Sequence, residues 1–183
     1  GMSMATAIAM ATSVSAASTD SAKTMDDMTC TGWWEVKSAG IELSDKTTTI
    51  KLHNVSNGDL NWHNADFILF NGDEGVVNGA GYEEVAVYRL DSYGWNGAGN
   101  TFDADSAYYE TCGFVARNAD LNWDTFLADV REGVDITVEV TNTSLTLKSS
   151  NGVDYTATFP SASYIAITGE QCTYLGISQP KAS

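Results

Sequence analysis

Basic residues are scarce: nine Lys and Arg stand against 24 Asp and Glu, a formal charge of −15 at pH 7. A surface that acidic repels phosphate backbones and anionic lipid headgroups, which disfavours nucleic-acid and membrane-surface partners. No run reaches the roughly eighteen apolar residues of a spanning helix, so membrane insertion is not expected. Proline is limited to two residues while 43% of the chain is hydrophobic, a balance that excludes a disordered or Pro-rich chain. Cysteine is limited to Cys30, Cys112 and Cys172, with no Cys-x-x-Cys spacing and no His nearby, which argues against zinc. The odd set leaves two readings open: one disulfide, for which Cys30 and Cys172 at the two ends of the strand-rich region are the first pair, or three buried thiols.

What is present is a chain of 183 residues, enough for one domain with its own core. Residues 5–17 are small and weakly apolar and end in an Ala-x-Ala-like pattern, resembling the back half of a secretory signal; a weakly structured Ala/Ser/Thr linker has the same composition. Residues 1–28 are therefore expected to be a signal-like or linker tail, 29–179 the folded domain and 180–183 a short C-terminal tail. The expected location is extracellular or at the cell surface.

From Cys30 onward the hydrophobic period is two. Residues 47–53, 65–70, 84–90, 134–140, 145–148, 153–159, 164–168 and 173–177 read as strands. Val134, Ile136, Val138 and Val140 alternate with Asp135, Thr137, Glu139 and Thr141, one dry face and one wet. Asn151-Gly152 marks a hairpin turn between two of these runs. Only residues 123–130 have helical spacing, with Trp123, Phe126, Leu127 and Val130 on one side, which makes Trp123 structural. This pattern predicts an all-β fold, an antiparallel jelly-roll-type β-sandwich with one short helix. The polar stretches 71–82 and 91–111 then read as long surface loops, where function concentrates.

Five tryptophans are the most informative feature of the chain, and several lie in Gly/Asn/Asp-rich stretches. Trp62 lies in Asn61-Trp62-His63-Asn64, and Trp95 in Tyr93-Gly94-Trp95-Asn96-Gly97. A large ring in a polar loop gains little from burial but offers a flat apolar face with a hydrogen-bonding edge. Pyranose rings complement such a face, with C–H groups on one side and hydroxyls around the rim. The candidate ligand-binding residues are accordingly Trp95, Tyr93 and Trp62, flanked by Asn61, Asn64, Tyr82 and Arg89. Trp33 joins them from Gly32-Trp33-Trp34-Glu35, where strand alternation buries Trp34 with Val36 and exposes Trp33.

The motifs Gly32-Trp33-Trp34-Glu35, Asn61-Trp62-His63-Asn64-Ala65-Asp66-Phe67, the run from Gly81-Tyr82-Glu83-Glu84 to Tyr93-Gly94-Trp95, and Asn122-Trp123-Asp124-Thr125-Phe126 occur in this order. That order resembles the β-sandwich carbohydrate-binding modules of gut-anaerobe β-glucan-degrading systems, the group including family 65. The resemblance spans roughly residues 30–178. It implies non-catalytic binding of a neutral polysaccharide, a β-glucan or xyloglucan, through a concave face lined with aromatics and amides, within a larger secreted or cell-surface system.

Two other classes remain on the sequence alone. A jelly-roll glycoside hydrolase needs two facing carboxylates; Glu83 and Glu84 would point to opposite faces of a strand, and surface solvation accounts for Asp103 and Asp105. A cell-surface structural or adhesion domain would use its aromatics on a protein partner. No organic cofactor is implied. A structural calcium held by Asp103 and Asp105, with Asn100 and Ser106 as further oxygen donors, would brace the loop carrying Trp95.

Overall fold

The period-two segments assemble into two antiparallel sheets in a computed structural model that describes residues 23–24, 27–106, 109, 113–116, 118 and 121–179. The strands in chain order are β1 (Lys23–Thr24), β2 (Met28–Cys30), β3 (Glu35–Val36), β4 (Ile41–Glu42), β5 (Thr48–Ser56), β6 (Ala65–Asn71), β7 (Glu83–Arg89) and β8 (Tyr93–Asn96). They continue with β9 (Thr101–Asp103), β10 (Phe114–Ala116), β11 (Val134–Val140), β12 (Ser144–Ser149), β13 (Asp154–Thr158), β14 (Tyr164–Gly169) and β15 (Cys172–Gln179). A seven-residue helix, α1 (Phe126–Glu132), precedes β11. The eight-stranded sheet runs β1-β15-β5-β11-β12-β13-β10, with β2 also on β15; the seven-stranded sheet runs β3-β14-β6-β7-β8-β9, with β4 also on β14. The fold is the jelly-roll-type sandwich that the alternation predicts.

The core lies between the sheets. Ile50 and Leu52 of β5, Ile136 and Val138 of β11 and Leu145 and Leu147 of β12 meet Phe67 and Leu69 of β6, Tyr88 of β7 and Ile165 and Ile167 of β14. Phe126 and Val130 plug α1 into the same core, and Trp123 lies 4.9 Å from Phe126, ring centre to ring centre. Tyr155, fully buried, donates its hydroxyl to the Arg89 carbonyl at 2.7 Å and so ties the two sheets together.

Three expectations change. The sheets begin before residue 29, because Lys23 and Thr24 pair with Gln179 and Ser178, and Met28 pairs with Tyr174. The stretch 91–111 is not a plain loop, since β8 and β9 form a hairpin inside it and Trp95 stands on a strand. Residues 32–34 form a bend and not a strand: Trp34 has φ +57°, and the Glu35 carboxylate accepts the N–H groups of Thr31 and Gly32 at 2.6 and 2.9 Å. Trp33 is nevertheless exposed and Trp34 half-buried beside Val36, by a turn instead of a pleat. Residues 5–17 and Cys112 lie outside the described residues. Cys30 and Cys172 are buried free thiols on neighbouring strands.

Candidate functional site

The outer face of the seven-stranded sheet is a second apolar layer. Ile68 and Phe70 of β6, Val87 of β7 and Ala166 of β14 point away from the main core yet are fully buried. Trp34, Val36, Val77, Tyr82, Trp95 and Tyr164 cover them. Trp95 pairs in register with Val87, and its ring lies 5.4 Å from that of Trp34. Its indole N–H donates to Glu84 at 2.8 Å, and Glu84 also accepts the Tyr82 hydroxyl at 2.9 Å. Gly94 sits between Tyr93 and Trp95 because any Cβ there would come within 2.2 Å of the Val87 carbonyl oxygen. Both rings are thereby held on the outer face.

One register step along, the same face turns polar. Thr168, Asp66 and Arg89 stand side by side on β14, β6 and β7, each two residues from a member of the apolar layer and so on the same side of the sheet. Arg89 is fixed by a two-pronged ion pair with Asp91, whose side chain is 8% exposed. Its guanidinium carbon lies 5.8 Å from the ring centre of Trp62 and 5.2 Å from that of Tyr93, within cation–π range of both. The two rings remain open to solvent, 37% and 36% exposed. A fixed cation against two rings holds them in place without filling the opposite, solvent-facing surface of either.

The same stretch of sheet encloses polar groups without a hydrogen-bond donor. Neither carboxylate oxygen of Asp66 meets an N–H or O–H donor among the described residues, and the same holds for Thr168 Oγ1 and Glu170 Oε1. Burial, and then the adjacent Glu170 charge, push the Asp66 carboxyl well above the usual carboxylate range. Burial raises Glu170 as well. Two neighbouring carboxyls can hydrogen-bond each other only when one carries a proton, which the raised values of both favour. Burial, the largest influence, would lower the Arg89 value, but the bond to Asp91 and the charges of Asp91, Asp66 and Glu170 together outweigh it and the guanidinium stays charged.

The loop carrying Trp62 is set by amides. Asn54 donates to Asn64 Oδ1 at 2.8 Å, and Asn64 Nδ2 donates to the Asn61 carbonyl at 2.7 Å. His63 Nδ1 accepts the N–H groups of Asp59 and Leu60, and its Nε2 lies 3.4 Å from the Gln171 amide nitrogen.

The expected site residues thus divide. Trp62, Tyr93 and Arg89 come together, and Trp33, 72% exposed, lies 6.3 Å from Trp34. Trp95 and Tyr82 are half-buried and engaged with Glu84. Asn64 is buried and spends its side chain inside the loop, so it is not a rim amide; Asn61 contributes its backbone carbonyl. Asp103 and Asp105 belong to no group of three or more His, Cys, Asp or Glu that could hold an ion among the described residues. Asp103 instead accepts the Asp105 N–H at 2.9 Å, and Asp105 accepts the Trp123 indole N–H at 3.0 Å. Sequence reasoning missed Asp66, Thr168, Glu170 and Asp91. One signal was available for Asp66, a lone carboxylate inside the otherwise apolar run 65–70.

No protein-family model matches the sequence, and no curated protein matches it. Solved structures do. The carbohydrate-binding module CBM66 from Bacillus subtilis aligns over 92% of this chain and 96% of its own at 10% identity, with a TM-score of 0.39. The exoplasmic/lumenal domain of VIP36, bound to Ca2+ and Man3GlcNAc, aligns over 81% and 71% at 12% identity, TM-score 0.44. The beta-fructofuranosidase of Aspergillus kawachii, complexed with glycerol, aligns over 90% of this chain but 28% of its own at 9% identity, TM-score 0.47. At this level of likeness the functional reading rests on the residues of the sheet face.

Proposed function

We propose that the outer face of the seven-stranded sheet binds a neutral polysaccharide and leaves it chemically unchanged. The observation that carries this reading is the pair of solvent-open rings, Trp62 and Tyr93, held against an Arg89 guanidinium that Asp91 locks in place. A sugar ring stacks on a fixed aromatic face with little ordering cost. Trp33, exposed at the far side of the half-buried Trp34, extends the aromatic surface toward a chain of several sugar units.

Catalysis is not part of this reading. The neighbouring carboxyls Asp66 and Glu170 are 0% and 3% exposed, so neither group reaches a glycosidic oxygen. The motif order shared with modules of β-glucan-degrading systems makes β-glucan and xyloglucan the first ligands to test, and an extracellular or cell-surface setting, within a larger secreted system, goes with them. Calorimetry against soluble β-glucan, xyloglucan, xylan and mannan tests the proposal, with reducing ends assayed in parallel. Saturable binding without reducing-end release is expected. Turnover, or the absence of binding to all four glycans together with capture of a protein ligand by the same face, overturns it.

A further inference from the structure

Cys30 and Cys172 stand directly opposite each other where β2 pairs with β15. Opposed residues of an antiparallel pair have Cα atoms about 4.5 or 5.5 Å apart, depending on the hydrogen-bonding pattern. Both values fall inside the roughly 4.4–6.8 Å that a disulfide spans. The side chains also turn toward a common point. A Cβ built on Gly169 would meet the Cys172 sulfur at 2.7 Å and the Cys30 sulfur at 3.0 Å, so the two sulfurs converge over that glycine. A larger residue at 169 would separate them. Both thiols are closed to solvent, at 1% and 0% exposure, and the Cys30 sulfur has the Glu35 carbonyl at 3.7 Å and the Tyr174 hydroxyl at 3.9 Å as its polar surroundings.

We propose that Cys30 and Cys172 are a disulfide-forming pair whose oxidation clamps β2 onto β15. Each thiol loses one hydrogen and an S–S bond forms, while a small-molecule disulfide such as oxidised glutathione is reduced to two thiols. Burial decides when this happens. β2 is three residues long and lies at the margin of its sheet, so the bridge closes while that margin is open, during folding or local fraying. The clamp also has a specific position. Cys30 lies three residues before Trp33, and Cys172 follows Gln171 and Glu170, so one bond ties down the segments leading into both sides of the candidate face.

The test needs no ligand and is independent of the polysaccharide reading. The full chain is denatured, reduced, refolded in a mixture of reduced and oxidised glutathione, alkylated under denaturing conditions and analysed by intact mass and peptide mapping. The expected product carries one alkyl group where the fully reduced chain carries three, with a single cross-linked peptide pair containing Cys30 and Cys172. Its thermal midpoint stands about 5–10 °C above that of the reduced form, given the long loop closed. Cys112→Ser keeps both changes; Cys30→Ser and Cys172→Ser each lose them. Complete alkylation of Cys30 and Cys172 after refolding, or a cross-link from either of them to Cys112, overturns the proposal.

Discussion

The two sheets of this sandwich share one core but present opposite exteriors. On the eight-stranded sheet the outward positions are polar, with Thr49, Glu139, Thr146 and Thr156 in one row and Lys51, Thr137 and Lys148 in another. His53 and Asp135 pair across the same surface at 2.8 Å. Its strands are buried on one face only. On the seven-stranded sheet β6 is buried at six consecutive positions, 65–70, and β14 at five, 165–169. Water covers one exterior; tryptophans, tyrosines and a loop cover the other. The difference locates the site, because only a sheet with an apolar outer layer can seat fixed aromatic rings and enclose a carboxyl pair.

The sharpest way to break this comparison is to truncate one side chain on each exterior. Phe70→Ala, which removes a fully buried ring stacked 5.4 Å from Tyr164, should cost about 3–5 kcal/mol, as a core truncation does. Thr137→Ala on the other exterior should stay within about 0.5 kcal/mol. Denaturant melts of the two variants decide the matter, and equal midpoints would erase the distinction between the faces.

A second pair of substitutions separates ligand contact from support. Trp62→Ala combined with Tyr93→Ala should lower glycan affinity at least about tenfold, stacked rings being worth about 1–3 kcal/mol each, with a thermal midpoint close to the parent's. Trp95→Ala should instead lower the midpoint, since it removes a half-buried ring and leaves Glu84 short of a donor. A Trp95→Ala variant that melts like the parent but fails to bind would return that ring to the ligand surface.

The buried carboxyls sharpen the comparison through pH. Their folded-state values are raised, so the folded chain holds a proton more tightly than the unfolded one. Their stabilising contribution is therefore complete below about pH 4, where the unfolded carboxyls protonate, and is lost as pH rises through the raised folded-state values. Asp66→Asn should remove most of that decline, matching the parent near pH 4 and exceeding its thermal midpoint at pH 8. Parallel midpoint curves for the two proteins from pH 4 to 8 would contradict the raised Asp66 value. On the other exterior Asp135→Asn breaks a solvent-exposed pair and should change stability by no more than about 1 kcal/mol, with no change in glycan binding.

Most of the fold was legible because alternation is a local property. Val134 to Val140 and the Asn151-Gly152 turn declare a strand and a hairpin within a few residues, and the apolar run 65–70 declares a strand buried on both sides. The aromatic residues were legible as types but not as roles. A glycine-rich, polar neighbourhood made Trp95 look like a loop residue, whereas pairing with Val87 places it on β8 and Glu84 occupies its N–H. Asn64 looked like a rim amide for the same reason, yet it packs against Asn54.

By itself the sequence determined the class of fold, the acidic surface, the presence of exposed aromatic rings and the single helix turned toward the core, since each follows from composition or from spacing within a dozen residues. Tertiary structure alone decided which rings face water, that Arg89 locks to Asp91 against Trp62 and Tyr93, and that Asp66 meets Glu170, more than a hundred residues away. It also decided that Cys30 lies opposite Cys172. These are consequences of strand order and register, and register between distant strands is set by how whole faces pack, which no local window of residues contains.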